Sequence, residues 1–122
     1  GDHGSTFSGN PLVCAGAQIV VDRVLEPGFL EAVRTKGRRI YDGLEALKST
    51  GRVLDVRGHG LLLGFQLDSV ESADALVEGS RDNGLLLIKV AADTIRMVPP
   101  LTVSESEIDS ATGIVRSVLA SL

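Results

Sequence analysis

The spacing of apolar positions along the chain changes several times, and each change marks a new element. From Leu12 to Val21 the run is apolar around most of a helical circumference and turns polar only at Asp22 and Arg23. A helix apolar on all sides calls for protein on all sides. Pro27-Gly28 breaks that pattern. Phe29, Leu30, Val33, Ile40, Tyr41, Leu44 and Leu47 then recur at three- and four-residue steps with Arg and Lys between them. This predicts an amphipathic helix to about Lys48, stopped by Ser49 to Gly51. Its basic side chains (Arg34, Lys36, Arg38, Arg39) read as a solvated face.

From Arg52 the period shortens. Val53, Leu54 and Val56 predict one strand and Leu61 to Leu67 a second, with Gly58-His59-Gly60 as the turn of an antiparallel pair. Ser72 can cap a short helix with Ala73, Leu76 and Val77 inward, ending near Asn83-Gly84. Leu85 to Val90 reads as a buried strand and Thr94 to Val98 as another, with Ala91-Ala92-Asp93 turning between them and Pro99-Pro100 ending the second. Ser104-Glu105-Ser106-Glu107 has the form of a capping box. It opens a final helix carrying Ile108, Ala111, Val115, Val118, Leu119 and Leu122 at helical spacing. The expected class is α+β: a small, mostly antiparallel sheet with helices packed on one face, preceded by a long linking helix.

Composition narrows the function classes. At 122 residues the chain is one domain's worth, with little surplus core. A net charge of -4, scattered rather than clustered Lys and Arg, and 3% aromatics argue against a nucleic-acid partner. No apolar run reaches the roughly 18 residues of a membrane span and no signal-peptide pattern opens the chain, so no membrane is expected and the cytoplasm is the default compartment. The single cysteine, Cys14, lies in the apolar helical run and reads as a small buried hydrophobe, with a reactive thiol as the other reading. A start at a glycine within a loop, without an initiator Met, fits a piece of a longer protein.

Two places could carry chemistry. The opening stretch, Gly1 to Pro11, combines glycines with Ser5, Thr6 and Ser8 just before a helix that Asn10 can cap and Pro11 can start. Hydroxyl donors near a helix N-terminus suit a phosphate or carboxylate, although Gly/Ser/Thr clusters before a helix are mostly ordinary loops and caps. In the predicted Thr94–Val98 strand, alternation puts Ile95 and Met97 on one face and Arg96 with Val98 on the other. A guanidinium entering an apolar strand needs an anionic partner, either one of the chain's own sixteen acids or a bound carboxylate. His59 reads as a solvent-facing turn residue, with no second ligand at metal spacing.

The string Gly4-Ser5-Thr6-Phe7-Ser8-Gly9-Asn10-Pro11 resembles the GSTFGGNP signature of the class III aminotransferases, and most of all those of the acetylornithine type. Val56-Arg57-Gly58-His59-Gly60-Leu61 and Ile95-Arg96-Met97-Val98-Pro99-Pro100-Leu101 continue the resemblance in the family's order. It implies a pyridoxal-phosphate enzyme of fold-type I of which this chain is the C-terminal portion. Residues 1–26 would be the cofactor-loop remnant and linking helix from the large domain, and residues 27–122 the small α+β domain. By the same resemblance Thr6 binds the cofactor phosphate in the neighbouring subunit of a homodimer, Ser5 contacts substrate, and Arg96 clamps the substrate α-carboxylate. Ser8 stands where the family has glycine, which matters if that position needs positive φ.

The Schiff-base lysine of such enzymes comes from the large domain. Lys36, Lys48 and Lys89 stand in the wrong motif contexts, so the chain alone is expected to be inactive. The intact enzyme would transfer an amino group between N-acetylornithine and 2-oxoglutarate in arginine biosynthesis. The alternatives are a class III enzyme acting on ornithine, succinylornithine or 4-aminobutyrate, or a stand-alone, non-catalytic module that binds an anion or mediates dimerisation.

Overall fold

The structure is a computed structural model that describes residues 4–122; Gly1, Asp2 and His3 of the opening stretch lie outside the described residues. The elements in order are α1 (Pro11–Leu25), α2 (Phe29–Glu45), a 3-10 turn (Ala46–Thr50), β1 (Val53–His59), β2 (Leu62–Leu67), α3 (Val70–Asp82), β3 (Ile88–Lys89), β4 (Thr94–Met97) and α4 (Glu105–Ala120). The chain divides into two compact units, Gly1–Ala32 and Val33–Leu122.

In the first unit Asn10 and Pro11 act as the sequence predicts. The Asn10 Oδ1 accepts the Leu12 N–H at 2.9 Å, and proline takes the first helical position, where a missing N–H costs nothing. The helix α1 buries no residue: Leu12 is 82% and Ile19 71% exposed. Cys14 is exposed as well, which corrects its reading as a buried hydrophobe. A helix apolar all round buries its cysteine only when covered on every side, and α1 buries no residue.

The second unit is a four-stranded antiparallel sheet, order β1-β2-β4-β3, with α2, α3 and α4. Alternation decides its faces. Val56, Leu63, Phe65, Ile95 and Met97 are buried, and α2 (Ile40, Leu44), α3 (Ala73, Leu76) and α4 (Ile108, Val115, Leu119) complete the core. The opposite face carries Arg57, Leu62, Arg96 and Ile88, all exposed. Helices on one side of an antiparallel sheet make the α+β class that the sequence predicts.

Local differences from the sequence reading have physical causes. The helix α2 ends at Glu45 and tightens into the 3-10 turn, where the Ser49 and Thr50 hydroxyls donate to the carbonyls of Ala46 and Leu47. His59 belongs to β1, paired with Leu62, so the hairpin turn is Gly60-Leu61 rather than Gly58-His59-Gly60. Gly60 takes φ +55 at the first turn position, as a type II′ hairpin requires. The cap of α3 is Ser69, whose Oγ accepts the Ser72 N–H at 3.1 Å; Ser72 itself is buried one turn in. The stretch Leu85 to Val90 is not a buried strand. Only Ile88 and Lys89 pair, at the sheet edge, and Leu86 is 82% exposed.

The basic face of α2 does more than meet solvent. The Arg39 guanidinium makes a two-pronged contact with Asp109 of α4, 2.7 Å on each prong, and reaches Glu105 at 3.2 Å. Each partner favours the other's charge: the Asp109 carboxyl is held below its usual range chiefly by the hydrogen bonds from Arg39.

Candidate functional site

Arg96 sits on β4 between two buried neighbours, Ile95 and Met97, and projects to the outer face with Val98, as alternation predicts. Although it enters an otherwise apolar strand, the guanidinium is exposed. The cause is that the outer face of the sheet carries no covering layer among the described residues. Arg23, Arg38, Arg39, Arg52, Arg57 and Arg81 each pair with a carboxylate. Arg96 makes no ion pair or hydrogen bond among the described residues. Of the two partners open to it, an acid among the described residues is not the one it has.

Its surroundings follow from where strand pairing stops. Lys89 opposes Ile95 and Ile88 opposes Arg96, and beyond Arg96 the segments part toward Pro99 and Pro100, which have no N–H to donate. A groove of about 480 Å³ opens there, lined by Arg96 with Leu86, Leu87, Met97, Pro100 and Ile108 among others. On the other side of Arg96, β2 places Gly64 directly opposite, and β1 places Arg57 beyond Gly64. This row of Arg57, Gly64 and Arg96 escapes a reading of the sequence, because register between distant strands decides it. The one available sign is a glycine inside the alternating run of β2.

Ser5 and Thr6 share the opening turn of the other unit. The Ser5 Oγ accepts the Phe7 N–H at 3.3 Å, and the Ser5 carbonyl accepts the Ser8 N–H at 3.2 Å. The Thr6 hydroxyl has no hydrogen-bond partner among the described residues, and both side chains are exposed. Ser8 adopts negative φ, and Gly9 takes the left-handed conformation at φ +72, so serine in place of the family glycine strains nothing. Free hydroxyls, a following helix N-terminus and no acidic side chain between residues 4 and 10 form a donor set that fits a phosphate.

The remaining candidates are ordinary. His59 is exposed at the end of β1, and the described residues hold no group of metal-ligating side chains. Lys48 pairs with Glu45 at 2.9 Å, Lys89 with Asp74, and Lys36 reaches the Leu101 carbonyl at 3.4 Å. No helix of the described residues is long and apolar enough to cross a membrane.

Comparison with known proteins supplies the context that these side chains lack. A family model for aminotransferase class III matches residues 1–119. The chain is 43% identical to an acetylornithine aminotransferase of Caldanaerobacter subterraneus subsp. tengcongensis over all of its own length and 31% of the relative's. It is 41% identical to the mitochondrial acetylornithine aminotransferase of Alnus glutinosa over all of its length and 27% of that protein. It thus spans less than a third of these relatives. Among solved structures, the acetylornithine aminotransferase of Elizabethkingia anophelis superposes with a TM-score of 0.86 at 32% identity, covering 100% of this chain and 33% of that one. The lysine aminotransferase of M. tuberculosis gives 0.80 at 32% identity, covering 87% and 25%. A family match over almost every residue, joined to an α+β unit that superposes on such enzymes, assigns the chain to the class III aminotransferases, whose cofactor is pyridoxal phosphate.

Proposed function

We propose that the chain is the C-terminal portion of an aminotransferase moving an amino group between N-acetylornithine and 2-oxoglutarate in arginine biosynthesis. In this reading residues 1–26 belong to the large domain and its linking helix, residues 27–122 form the small domain, and the intact protein is a cytoplasmic homodimer. The observation that carries it is Arg96: an exposed guanidinium without an acidic partner among the described residues, beside an apolar groove, on a strand bearing the family motif. Its planar fork holds a substrate α-carboxylate through two parallel hydrogen bonds and so fixes the carbon that carries the amino group.

Ser5 makes the second substrate contact. The Thr6 hydroxyl donates to the cofactor phosphate in the partner subunit. Pyridoxal phosphate, when bound, supplies the electron sink for amino-group transfer. Lys36, Lys48 and Lys89 are surface residues of the wrong context for the Schiff base, so the chain by itself does not transaminate. A neighbouring specificity is the second reading. A lysine aminotransferase and the ornithine aminotransferase of Toxoplasma gondii share the fold at 32% and 27% identity, so substrate choice rests partly on residues outside this chain.

The test is made in the full-length enzyme. Arg96→Ala is expected to raise KM for both carboxylate substrates about 100-fold, the scale of a lost two-pronged charged pair. Thr6→Ala is expected to lower cofactor retention, read from its absorbance, with little change in the fold. Parent-like behaviour of both variants would remove the assigned roles.

A further inference from the structure

Gly64 is a glycine without a local reason. It lies inside β2, where a glycine loses side-chain packing and costs backbone entropy relative to alanine. Its φ is not in the left-handed region. A Cβ built on it would meet nothing closer than the Ile95 carbonyl oxygen at 3.5 Å, an ordinary contact. Gly37 and Gly58 differ sharply, since a Cβ there would run into backbone at 2.1 and 2.2 Å. Neither conformation nor packing within the described residues therefore calls for glycine at position 64.

What distinguishes the position is its neighbours on the outer face. Register places Gly64 directly opposite Arg96 on one side and Arg57 on the other. Strands lie about 4.8 Å apart, so the two arginines stand roughly 10 Å from each other with bare backbone between them. Arg57 is held by Asp55 at 2.6 Å, whereas Arg96 has no acid among the described residues. The result is a notch with Gly64 as its floor and a free guanidinium as one wall. A side chain on residue 64 would project from the same face, with its Cβ about 5 Å from that of Arg96, into the space an incoming carboxylate must cross.

We propose that Gly64 is a specificity-determining position: it keeps the outer face open beside Arg96 so that the carboxylate end of an amino- or keto-acid substrate can lie across β2. This rests on the reading of Arg96 given above. Gly64 makes no hydrogen bond to the substrate through a side chain and takes no part in the chemistry. It is a clearance.

Full-length enzyme carrying Gly64→Ala, Gly64→Val or Arg96→Ala separates the possibilities. The expected result is a graded rise in KM for 2-oxoglutarate, about 5-fold for alanine and about 100-fold for valine, the scale on which a displacement of about 1 Å impairs an active site. Turnover at saturation should stay within about twofold of the parent, and the melting temperature should hold or rise, since both replacements favour a strand more than glycine does. A KM within twofold of the parent for Gly64→Val, with Arg96→Ala impaired, overturns the inference and leaves the carboxylate site standing. A KM increase accompanied by a lower melting temperature and cofactor loss also overturns it, because the glycine would then be structural. If Arg96→Ala keeps the parent KM, the carboxylate site fails first and Gly64 falls with it.

Discussion

A hydrogen in place of a methyl group has opposite meanings at two glycines of the second unit. At Gly37 the Gly60 carbonyl of the hairpin turn occupies the place of a Cβ, with atoms at 2.1, 2.6 and 3.0 Å, all of them backbone. No rotamer change relieves such a clash. Gly37→Ala is expected to push α2 away from the turn and cost about 3 kcal/mol, read as a lower denaturant midpoint at unchanged slope. Gly64→Ala should show no such loss. Little of this contrast can be read from the chain, where both are lone glycines in periodic segments. Arg96 was legible because alternation is local: inward Ile95 and Met97 force it outward. Its partner across the sheet was not, because register depends on how β2 and β4 meet. Ser72 shows the same limit at one helix turn: it reads as the cap, and the structure gives that place to Ser69, three residues earlier.

Among the elements, α4 is the best specified. Its capping box forms as the motif demands: the Glu107 backbone N–H donates to the Ser104 Oγ at 3.2 Å, and the Ser104 N–H donates to the Glu107 carboxylate at 2.8 Å. The Ser104 N–H, together with the Ser104 hydroxyl that donates to the same carboxylate at 2.7 Å, holds the Glu107 carboxyl below its usual range. Asp109, also in the first half of α4, is lowered by Arg39, so two carboxylates on this helix are stabilised in their charged forms. A lowered carboxyl pKa adds stability above the ordinary range and loses it as pH falls through the lowered value, so the loss begins below about pH 4. The melting temperature of Arg39→Gln is therefore expected to lie below the parent's at pH 7, with the gap closing as pH drops toward 3. A gap constant over that range would mean the ion pair adds nothing. Such links between helices are invisible in helical spacing, which marks Arg39 only as polar. The misread Leu85–Val90 stretch is the converse case: an apolar run implies burial, yet an edge position next to two prolines leaves most of it in solvent.

On the scale of the whole molecule, the class was legible and the extent of burial was not. Capped helices, a short-period hairpin and the final helix add up to α+β from the sequence alone. The reading of Cys14 as buried follows from a helix apolar all round and presumes a cover on every side, whereas Cys14 is exposed. The exposed apolar surface of α1 has a measurable effect. The 122-residue chain on its own is expected to associate through α1, and replacing Leu12, Ile19 and Leu25 with serine should return it to a monomer by light scattering. Association unchanged by those replacements would place the contact elsewhere. The sheet is a poor candidate for that contact at one of its rims. The β3 ladder is two residues long, Lys89 on it is ion-paired to Asp74, and the neighbouring segment ends in two prolines. A rim so short offers an approaching strand almost no row of N–H and C=O groups to copy. Association of this chain should consequently yield amorphous, reversible clusters that dissolve with mild detergent, rather than thioflavin-positive fibrils growing by strand addition.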